Sequence, residues 1–330
     1  MCLRCEKSVY YEEEGSFSFL GKVLVEDFGW ERCEAAEKAA SSLGRGISEN
    51  GWTWGRKFPL LSDKALFFER LKSGGWPETV VVRDEASLEA ALKRFSDGAI
   101  FVKHPRASGG KGTFRAENKT EAKRLALAIL ASVDAVVLQR AIIPATLPRG
   151  PSVFELRIFS VFTEKSAFTY SQIRAKTAKI GSTLMNRRVQ QKEPDFGQYY
   201  DHNAASEHDL REALGPTFHS KTMPAIFETI ETVHRAVKEN IPSSTFFFVG
   251  FDFILEETTN SDYVPFLLEA NVKLPDRYRD PRLQFPSPLV RCIATNAIRH
   301  LASLIHTDFK DDKKNNADHH HHHKHRWLRH

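Results

Sequence analysis

The amino-acid sequence predicts a mixed fold, α/β or α+β, with more than one subdomain. Strand-like and helix-like segments alternate along most of the chain. The segments after residue 150 are mainly strand-like. The length of 330 residues allows two or three subdomains, and 41% apolar with 27% charged residues is typical of a folded globular chain.

The N-terminal region, residues 1–75, is predicted to be a short α/β region. Residues 17–28, FSFLGKVLVEDF, resemble a strand, and a short helix is expected from Glu31 to Leu43, with Gly44 as its C-terminal stop. Residues 44–58 predict an irregular connection rich in Gly, Ser, Asn and Trp.

The next block, residues 76–145, alternates strands with amphipathic helices. Strands are predicted near Thr79 and over 99–105, 113–117 and 135–142, and a second helix over 120–132. Asp84 is expected to cap the first helix, whose apolar face is Leu88, Ala91, Leu92 and Phe95.

The third block, residues 146–309, is rich in predicted strands. Residues 153–163 and 167–175 are predicted to pair as a hairpin, and 176–206 is polar and irregular. A helix is expected with the apolar face Ile226, Ile230, Val233 and Val237. Strands follow over 245–257 and 263–271, and Ser287-Pro288 is predicted to open a last helix that ends near Ile305.

Charge and composition argue against several classes of protein. The tail, residues 310–330, carries six Lys or Arg and three Asp, so +3 of the formal net charge of +5 lies there and +2 remains for residues 1–309. A nearly neutral body does not predict a nucleic-acid partner. No segment has the ~20 apolar residues of a membrane span, and no secretory signal is recognised at the N-terminus.

The cysteines and histidines bear on the cellular compartment and on possible metal binding. Four scattered cysteines favour a reducing compartment, and we expect the protein to be cytoplasmic. Cys2 and Cys5 form a CxxC motif without a second pair, which fits free thiols better than a zinc site. The His-rich tail is expected to be disordered, with weak metal binding as the alternative.

Two acidic side chains are predicted to face each other late in the chain. Side chains alternate along a strand, so Asp252 points away from Phe251 and Phe253, while Glu269 and Asn271 share a face opposite Leu268 and Ala270. A hairpin about residues 260–261 places Asp252 opposite Glu269. Two carboxylates and an amide oxygen suit Mg²⁺, whereas a solvated polar face is the simpler alternative.

Residues 102–112, VKHPRASGGKG, combine a strand-borne lysine, Lys103, with a glycine-rich loop. Ser108, Gly109, Gly110 and Gly112 leave the backbone N–H groups open to phosphate oxygens. The segment matches neither the P-loop nor the GxGxxG pattern. A plain glycine turn between two strands explains it equally well when it is taken alone.

Two arginines lie in otherwise apolar strands. Arg157 lies within VFELRIFSVF and Arg174 in the next predicted strand. A buried guanidinium needs a carboxylate partner or a wet site. An internal pair, for instance with Glu155, and a phosphate- or carboxylate-binding fork are both open.

The order of these motifs resembles the ATP-grasp ligases and, more narrowly, the tubulin-tyrosine ligase family. The most specific segments are FVKHPRASGGKG and VGFDFILEE with VPFLLEANVKLP. Supporting segments, spread over residues 58–305, are PLLSDKALFFERL, VVLQRAI, FELRIFSVF, AFTYSQIRAKTA and LMNRRVQQK. His104 is an insertion relative to the family pattern.

The resemblance implies an ATP-grasp fold, in which a nucleotide lies between a central subdomain (76–145) and a C-terminal subdomain (146–309). It implies ATP and Mg²⁺, and joining of an amino acid to a peptide, protein or small-molecule carboxylate through an acylphosphate. The tubulin C-terminus is the family's typical acceptor. An ATP-grasp kinase of a polyol phosphate and an inert nucleotide-binding module are the alternatives.

The resemblance also assigns roles residue by residue. It implies metal ligation by Asp252, Glu269 and Asn271, and contacts to the reacting groups from Arg157, Arg174 and Asn186. The nucleotide contacts implied are Lys64, Lys103, Ser108, Gly109, Gly110, Lys111, Gly112, Gln139, Arg140 and Ile142.

Overall fold

The computed structural model has a mixed α+β architecture, which confirms the predicted class at that level. Its sheets are antiparallel apart from one short parallel pair. The structure describes residues 7–10, 18–34, 59–71, 74–107, 112–146, 154–163, 167–177, 211–212, 214–240, 246–260, 262–271 and 299–307.

The N-terminal elements are β1 (Ser8–Val9), α1 (Ser18–Phe28) and β2 (Glu31–Arg32). The predicted strand over 17–28 is therefore wrong: this segment is a helix that buries Leu20, Val23 and Leu24 at helical spacing. Gly29, at φ 68°, lets the chain leave the helix, and Trp30 N–H donates to Leu24 O at 3.0 Å.

The helix predicted from Glu31 is also wrong at its start. Glu31 and Arg32 form β2, which pairs in parallel with β1 through Ser8 and Val9. Cys33 and Glu34 are not helical either, and residues 35–43 of that predicted helix lie outside the described residues. The pairing brings the start of the described chain beside the end of α1.

The next elements form a four-stranded antiparallel sheet together with helices. They are α2 (Pro59–Ser62), α3 (Lys64–Arg70), β3 (Thr79–Val82), α4 (Glu85–Arg94), β4 (Ile100–Lys103), β5 (Thr113–Ala116), α5 (Lys119–Leu130) and β6 (Val136–Arg140). The strand order is β3-β6-β4-β5, and of the helices α4 and α5 pack on one face of the sheet.

The predicted cap and apolar face of α4 are confirmed. Asp84 accepts from the Ser87 N–H at 2.7 Å, and the four predicted apolar residues are buried. They pack with α5 against one face of the sheet, which includes Ile100, Val102 and Leu138. Because strand side chains alternate, the opposite face presents Phe101, Lys103 and Gln139.

The remaining described elements form a second four-stranded antiparallel sheet, in the order β10-β9-β7-β8, with one long helix. They are β7 (Phe154–Thr163), β8 (Ala167–Thr177), a π-helix (Phe218–Thr222), α6 (Met223–Lys238), β9 (Phe246–Glu257), β10 (Tyr263–Asn271) and a helix over 299–307, named α7. Both predicted hairpins are confirmed.

One apolar core joins the two sheets. The predicted face of α6 is fully buried, and Ile226 and Val233 pack with Phe251 and Phe253 of β9. Val137 of β6 belongs to the same cluster, as do Phe67 and Phe68 of α3. The first sheet meets this core through α2 and α3, since α3 contacts β3 and β6, and α2 contacts β10. Polar residues near this junction of the two sheets, such as Gln139, are buried.

The chain crosses between the sheets directly after β6. Ala141 N–H donates to Ala99 O at 3.0 Å on the first sheet. Four residues later, Ala145 N–H donates to Leu255 O at 2.7 Å on the second, next to a bridge between Pro144 and Glu256. Residues 141–145 therefore form the crossing that brings β6 against β9 and β10.

In the part of the chain that is described, no helix is both long enough and apolar enough to cross a lipid bilayer.

Candidate functional site

The predicted pairing of the two acidic residues is confirmed. Glu269 on β10 lies opposite Asp252 on β9. The Asn271 amide donates from Nδ2 to Asp252 Oδ2 at 2.7 Å and to Glu269 Oε1 at 2.9 Å. All three predicted metal-binding side chains thus converge on one point, and Asp252 is only 2% exposed.

A β-bulge in β10 creates this arrangement. The register shifts between Leu267 and Glu269, so Leu268 is an extra residue in its strand. Leu268 packs on Ile254, which lies on the same face of β9 as Asp252. The prediction that Leu268 faces away from the acidic residues is therefore wrong, because the bulge changes the alternation of side chains.

Arg157 forms an ion pair, but with a different partner from the one considered in the sequence. On neighbouring strands it lies opposite Asp252, and its Nε and Nη2 donate to the two carboxylate oxygens. Gly250 leaves room for this side chain, since a Cβ there would lie 3.3 Å from Arg157 Cδ. The bidentate geometry holds a fixed cation beside the acidic residues.

Arg174 lies opposite Arg157 in the backbone register of β7 and β8. Its side chain lies outside what the structure describes, as do Ser108, Gly109, Gly110, Lys111 and Asn186 in full. The roles expected for these residues stay predictions.

Lys103 is the second cation of the site and is only 8% exposed. Its Nζ donates to Gln139 Oε1 at 2.6 Å. The pKa of Lys103 is lowered to about 8, mainly by burial; Lys64 also acts to lower it, while Glu269 and Glu155 act to raise it. Lys103 of the first sheet and Glu269 of the second therefore lie within electrostatic reach of each other.

Lys64 reaches the same place from the start of α3. Asp63 caps this helix, with Oδ1 accepting from Ala65 N–H at 2.9 Å. The Lys64 backbone N–H donates to Pro105 O at 2.9 Å, and its Nζ donates to Ala107 O at 2.7 Å. The lysine thus lies against the segment that enters the glycine-rich loop.

His104, the insertion in the sequence pattern, has a structural role. Its Nδ1 accepts from the N–H groups of Arg106 and Ala107, both at 3.1 Å. At the other end of the loop, Gly112 O accepts from His104 N–H at 2.7 Å. A Cβ on Gly112 would lie 2.5 Å from Ala107 Cβ and 2.7 Å from His104 Cβ, so glycine is required where the loop closes.

Sequence reasoning missed Arg106, which joins the loop entrance to α3. Its guanidinium donates to Asp63 Oδ2 at 3.1 Å and to Asp134 Oδ1 at 3.0 Å. The hydrogen bond from Arg106 holds the pKa of Asp134 below its usual range. The sequence does show that Arg106 is a charged residue three positions after Lys103. It does not show its partners, which lie 28 and 43 residues away.

An apolar surface lies beside the charged residues. Ile142, Phe266 and Leu268 pack against Ile254. Arg140 closes one side, with its guanidinium 5.7 Å from the Phe266 ring centre and 3.3 Å from Glu256 Oε1. Arg140 and Ile142, two predicted nucleotide contacts, are therefore at an apolar surface on the crossing between the sheets.

The acidic residues fit a divalent cation by the chemistry of their donors. Asp252 and Glu269 both accept from the Asn271 amide nitrogen, and rotation of this amide by 180° would direct its oxygen, a hard ligand like the carboxylates, to the same point. Among the described residues, no group of three or more His, Cys, Asp or Glu is suited to a metal, so the site would need Asn271 and water oxygens. That ligand number is typical of Mg²⁺ that also binds phosphates.

No protein-family model matches the chain, and no curated protein matches it. The arrangement can nevertheless be stated in chemical terms. Two buried or tethered lysines, a bidentate arginine and two carboxylates surround one polar junction, and an apolar surface adjoins it. Such a junction suits a ligand with an apolar planar end and a strongly anionic end.

Proposed function

We propose that the chain is an ATP- and Mg²⁺-dependent carboxylate–amine ligase with an ATP-grasp fold, similar to the tubulin-tyrosine ligase family. One observation carries the proposal. Lys103 of the first sheet and the Asp252–Glu269–Asn271 group of the second sheet approach each other next to the apolar surface around Ile254. A nucleotide with a metal-bound triphosphate satisfies both halves of this junction.

The nucleotide lies between the central subdomain (76–145) and the C-terminal subdomain (146–309) in this proposal. Lys103 and Lys64 bind the α- and β-phosphates, and the loop 108–112 covers the γ-phosphate. Arg140 and Ile142 line the adenine side. Asp252, Glu269 and Asn271 would hold Mg²⁺, which supplies neutralisation of the phosphate charge that develops during transfer.

The reaction proposed has two steps. The substrate carboxylate oxygen attacks the γ-phosphorus, the bond to the β-phosphate oxygen breaks, and acylphosphate and ADP form. The amine of an amino acid then attacks the acyl carbon, loses a proton and expels phosphate. Arg157 and Arg174 stabilise the oxyanion of this second step, with Asn186 in the same pocket.

For the substrates, we propose only chemical classes. An amino acid is the donor, and a peptide, a protein such as the tubulin C-terminus, or a small carboxylate is the acceptor. The nearly neutral body, +2 over residues 1–309, makes a small or weakly acidic acceptor as compatible as an acidic tail. A reducing, cytoplasmic setting is proposed from the sparse cysteines.

The variant Glu269→Gln tests the metal assignment. Phosphate release from ATP, measured across the twenty amino acids with and without acidic peptides, should fall roughly 100-fold or more, because a neutral amide is a poor Mg²⁺ ligand. Glu257→Gln is the matched control, since Glu257 is an exposed residue at the other end of the same hairpin. Full activity of Glu269→Gln would overturn the assignment.

The same screen distinguishes the alternatives. Phosphate release that requires an added amino acid, with a condensed product in the mass spectrum, supports the ligase. Transfer of the γ-phosphate to a polyol phosphate would replace the ligase by a kinase. ATP binding without turnover on any acceptor would leave only a nucleotide-binding module.

A further inference from the structure

A buried chain of hydrogen bonds crosses three strands of the first sheet. Lys103 Nζ on β4 donates to Gln139 Oε1 on β6 at 2.6 Å, and Gln139 Nε2 donates to Thr79 Oγ1 on β3 at 2.9 Å. The Thr79 hydroxyl donates in turn to Pro77 O at 2.6 Å. Gln139 is 1% exposed and Lys103 is 8% exposed, so this end of the chain is buried, while Thr79 is half-buried.

The donors and acceptors allow one direction for this chain. A lysine ammonium can only donate, so the amide oxygen of Gln139 must face Lys103. The amide nitrogen then faces Thr79, whose hydroxyl proton is directed to the carbonyl of Pro77. The orientation of the Gln139 amide, and with it the position of the Lys103 ammonium, therefore depends on Thr79.

Gln139 is electrically neutral, and this affects the charge of the neighbouring Lys103. A carboxylate at this position would pair with Lys103 and offset its charge inside the sheet. A neutral amide oxygen instead compensates the buried ammonium by one hydrogen bond and leaves its positive charge available to a ligand. Glu269 and Glu155 are the acidic groups that act on Lys103, and both lie on the second sheet.

We propose that Gln139 is a positioning residue, which holds the Lys103 ammonium toward the triphosphate and makes no contact with the adenine. The proposal rests on the ATP-binding function proposed above, and it changes the role that the family resemblance implies for this residue. Both polar atoms of the Gln139 side chain are engaged within the sheet, and its burial leaves no surface against which a purine could pack.

Binding of ATP compared with binding of adenosine tests this role. Adenosine carries the base but no phosphate, so only a contact to the base affects both ligands. We expect Gln139→Met to weaken ATP about tenfold, the usual effect of losing a hydrogen bond to a charged group, and to leave adenosine unchanged. The dissociation constants are measured by calorimetry for ATP and by ligand-observed NMR for adenosine, both with Mg²⁺.

A double-mutant cycle provides the second readout. In a Lys103→Met background, Gln139→Met should have no further effect on ATP binding, because the group that it positions is absent. Thr79→Val removes the next link of the chain and should weaken ATP about threefold, again without an effect on adenosine. Thr232→Val is the control, since its hydroxyl also bonds a backbone carbonyl, that of Glu228 on α6.

Each outcome decides between the roles. Equal losses for ATP and adenosine in Gln139→Met would assign the residue to the base and overturn the proposal, as would additive effects of the Lys103 and Gln139 substitutions. If Gln139→Met fails to fold, as judged by circular dichroism, Thr79→Val carries the same comparison. Wild-type protein that binds neither ligand would overturn the proposed function itself.

Discussion

At the scale of single residues, burial of the Lys103 ammonium opposes folding. Its ammonium is buried at the junction of the two sheets, and burial lowers its pKa from 10.5 to about 8. A cation that loses solvent without gaining a full countercharge destabilises the folded state. A binding function for an anion explains why such a group is present.

The pH dependence of stability should report this burial. Below pH 8 both states carry the Lys103 proton and the full penalty is present. Between about pH 8 and 10.5 the unfolded state binds more protons, so Lys103 makes stability rise with pH. The free energy of unfolding of wild type should therefore rise relative to that of Lys103→Met, and the difference between the two proteins should change by about 3 kcal/mol between pH 7 and 10.5.

Urea unfolding of both proteins at several pH values measures this difference. Other lysines and tyrosines titrate in the same range, and comparison of the two proteins cancels their contribution. Lys123→Met is the control, because Lys123 pairs with Glu89 and Glu85 at the surface. Parallel stability curves for wild type and Lys103→Met would contradict the buried-ammonium assignment.

Single residues also show how far the site could be predicted from the sequence. Counting along a hairpin predicts the pairing of Asp252 with Glu269, and it is confirmed, although only the bulge at Leu268 brings the two residues into register. The partner of Arg157 does not follow, since Asp252 is 95 residues away and becomes adjacent only when β7 pairs with β9. Local patterns identify candidate groups, and long-range strand pairing decides which of them meet.

At the scale of elements, two sequence predictions were wrong because the spacing of apolar residues alone does not determine the local structure. The segment FSFLGKVLVEDF has residues suited to a strand, yet Leu20, Val23 and Leu24 also form a helical face, and that face is the one buried. In β10, the bulge at Leu268 reverses the alternation, so an apolar side chain and the acidic ones share a face. Propensity was overridden by packing in the first case and by local geometry in the second.

The loop entrance and α3 form one element-scale unit. Segment 104–107 is tied to α3 through Lys64 and through the Arg106–Asp63 pair, and to the turn before β6 through Asp134. These contacts fix the described entrance of the glycine-rich loop as far as Ala107.

Arg106→Gln should loosen this base. We expect the KM for ATP to rise several-fold, because Lys64 and the loop lose part of their fixed geometry, with little change in the melting temperature, since exposed ion pairs contribute little to stability. Steady-state kinetics and a thermal melt measure the two effects. Arg115→Gln is the control, because it removes an exposed pair with Glu117, which directly follows the same strand, β5. Equal kinetic effects in both variants would argue against a specific role for Arg106.

At the scale of the whole molecule, the two sheets are not independent. The core that contains Phe251 and Phe253 also includes Val137, and residues 141–145 bond to both sheets. The sequence pattern predicted the strands of each sheet. It did not predict how the two sheets share a core, because that depends on apolar faces of segments that are far apart in the sequence. The proposed ligand at this junction would contact both sheets at once.

A ligand at the junction should therefore stabilise the molecule as one unit. Mg²⁺ and ATP at about 100 times the dissociation constant should add roughly 2.7 kcal/mol, which would raise the melting temperature of a chain of this length by about 4 °C. The signal should be one cooperative transition that moves as a whole, because the proposed triphosphate would bind Lys103 on one sheet directly and Glu269 on the other through Mg²⁺. Adenosine at the same concentration contacts the apolar surface alone and should shift the melt less. A melt that separates into two transitions, of which ATP moves only one, would show that the ligand does not bridge the sheets, and the proposed position of the nucleotide would then be wrong.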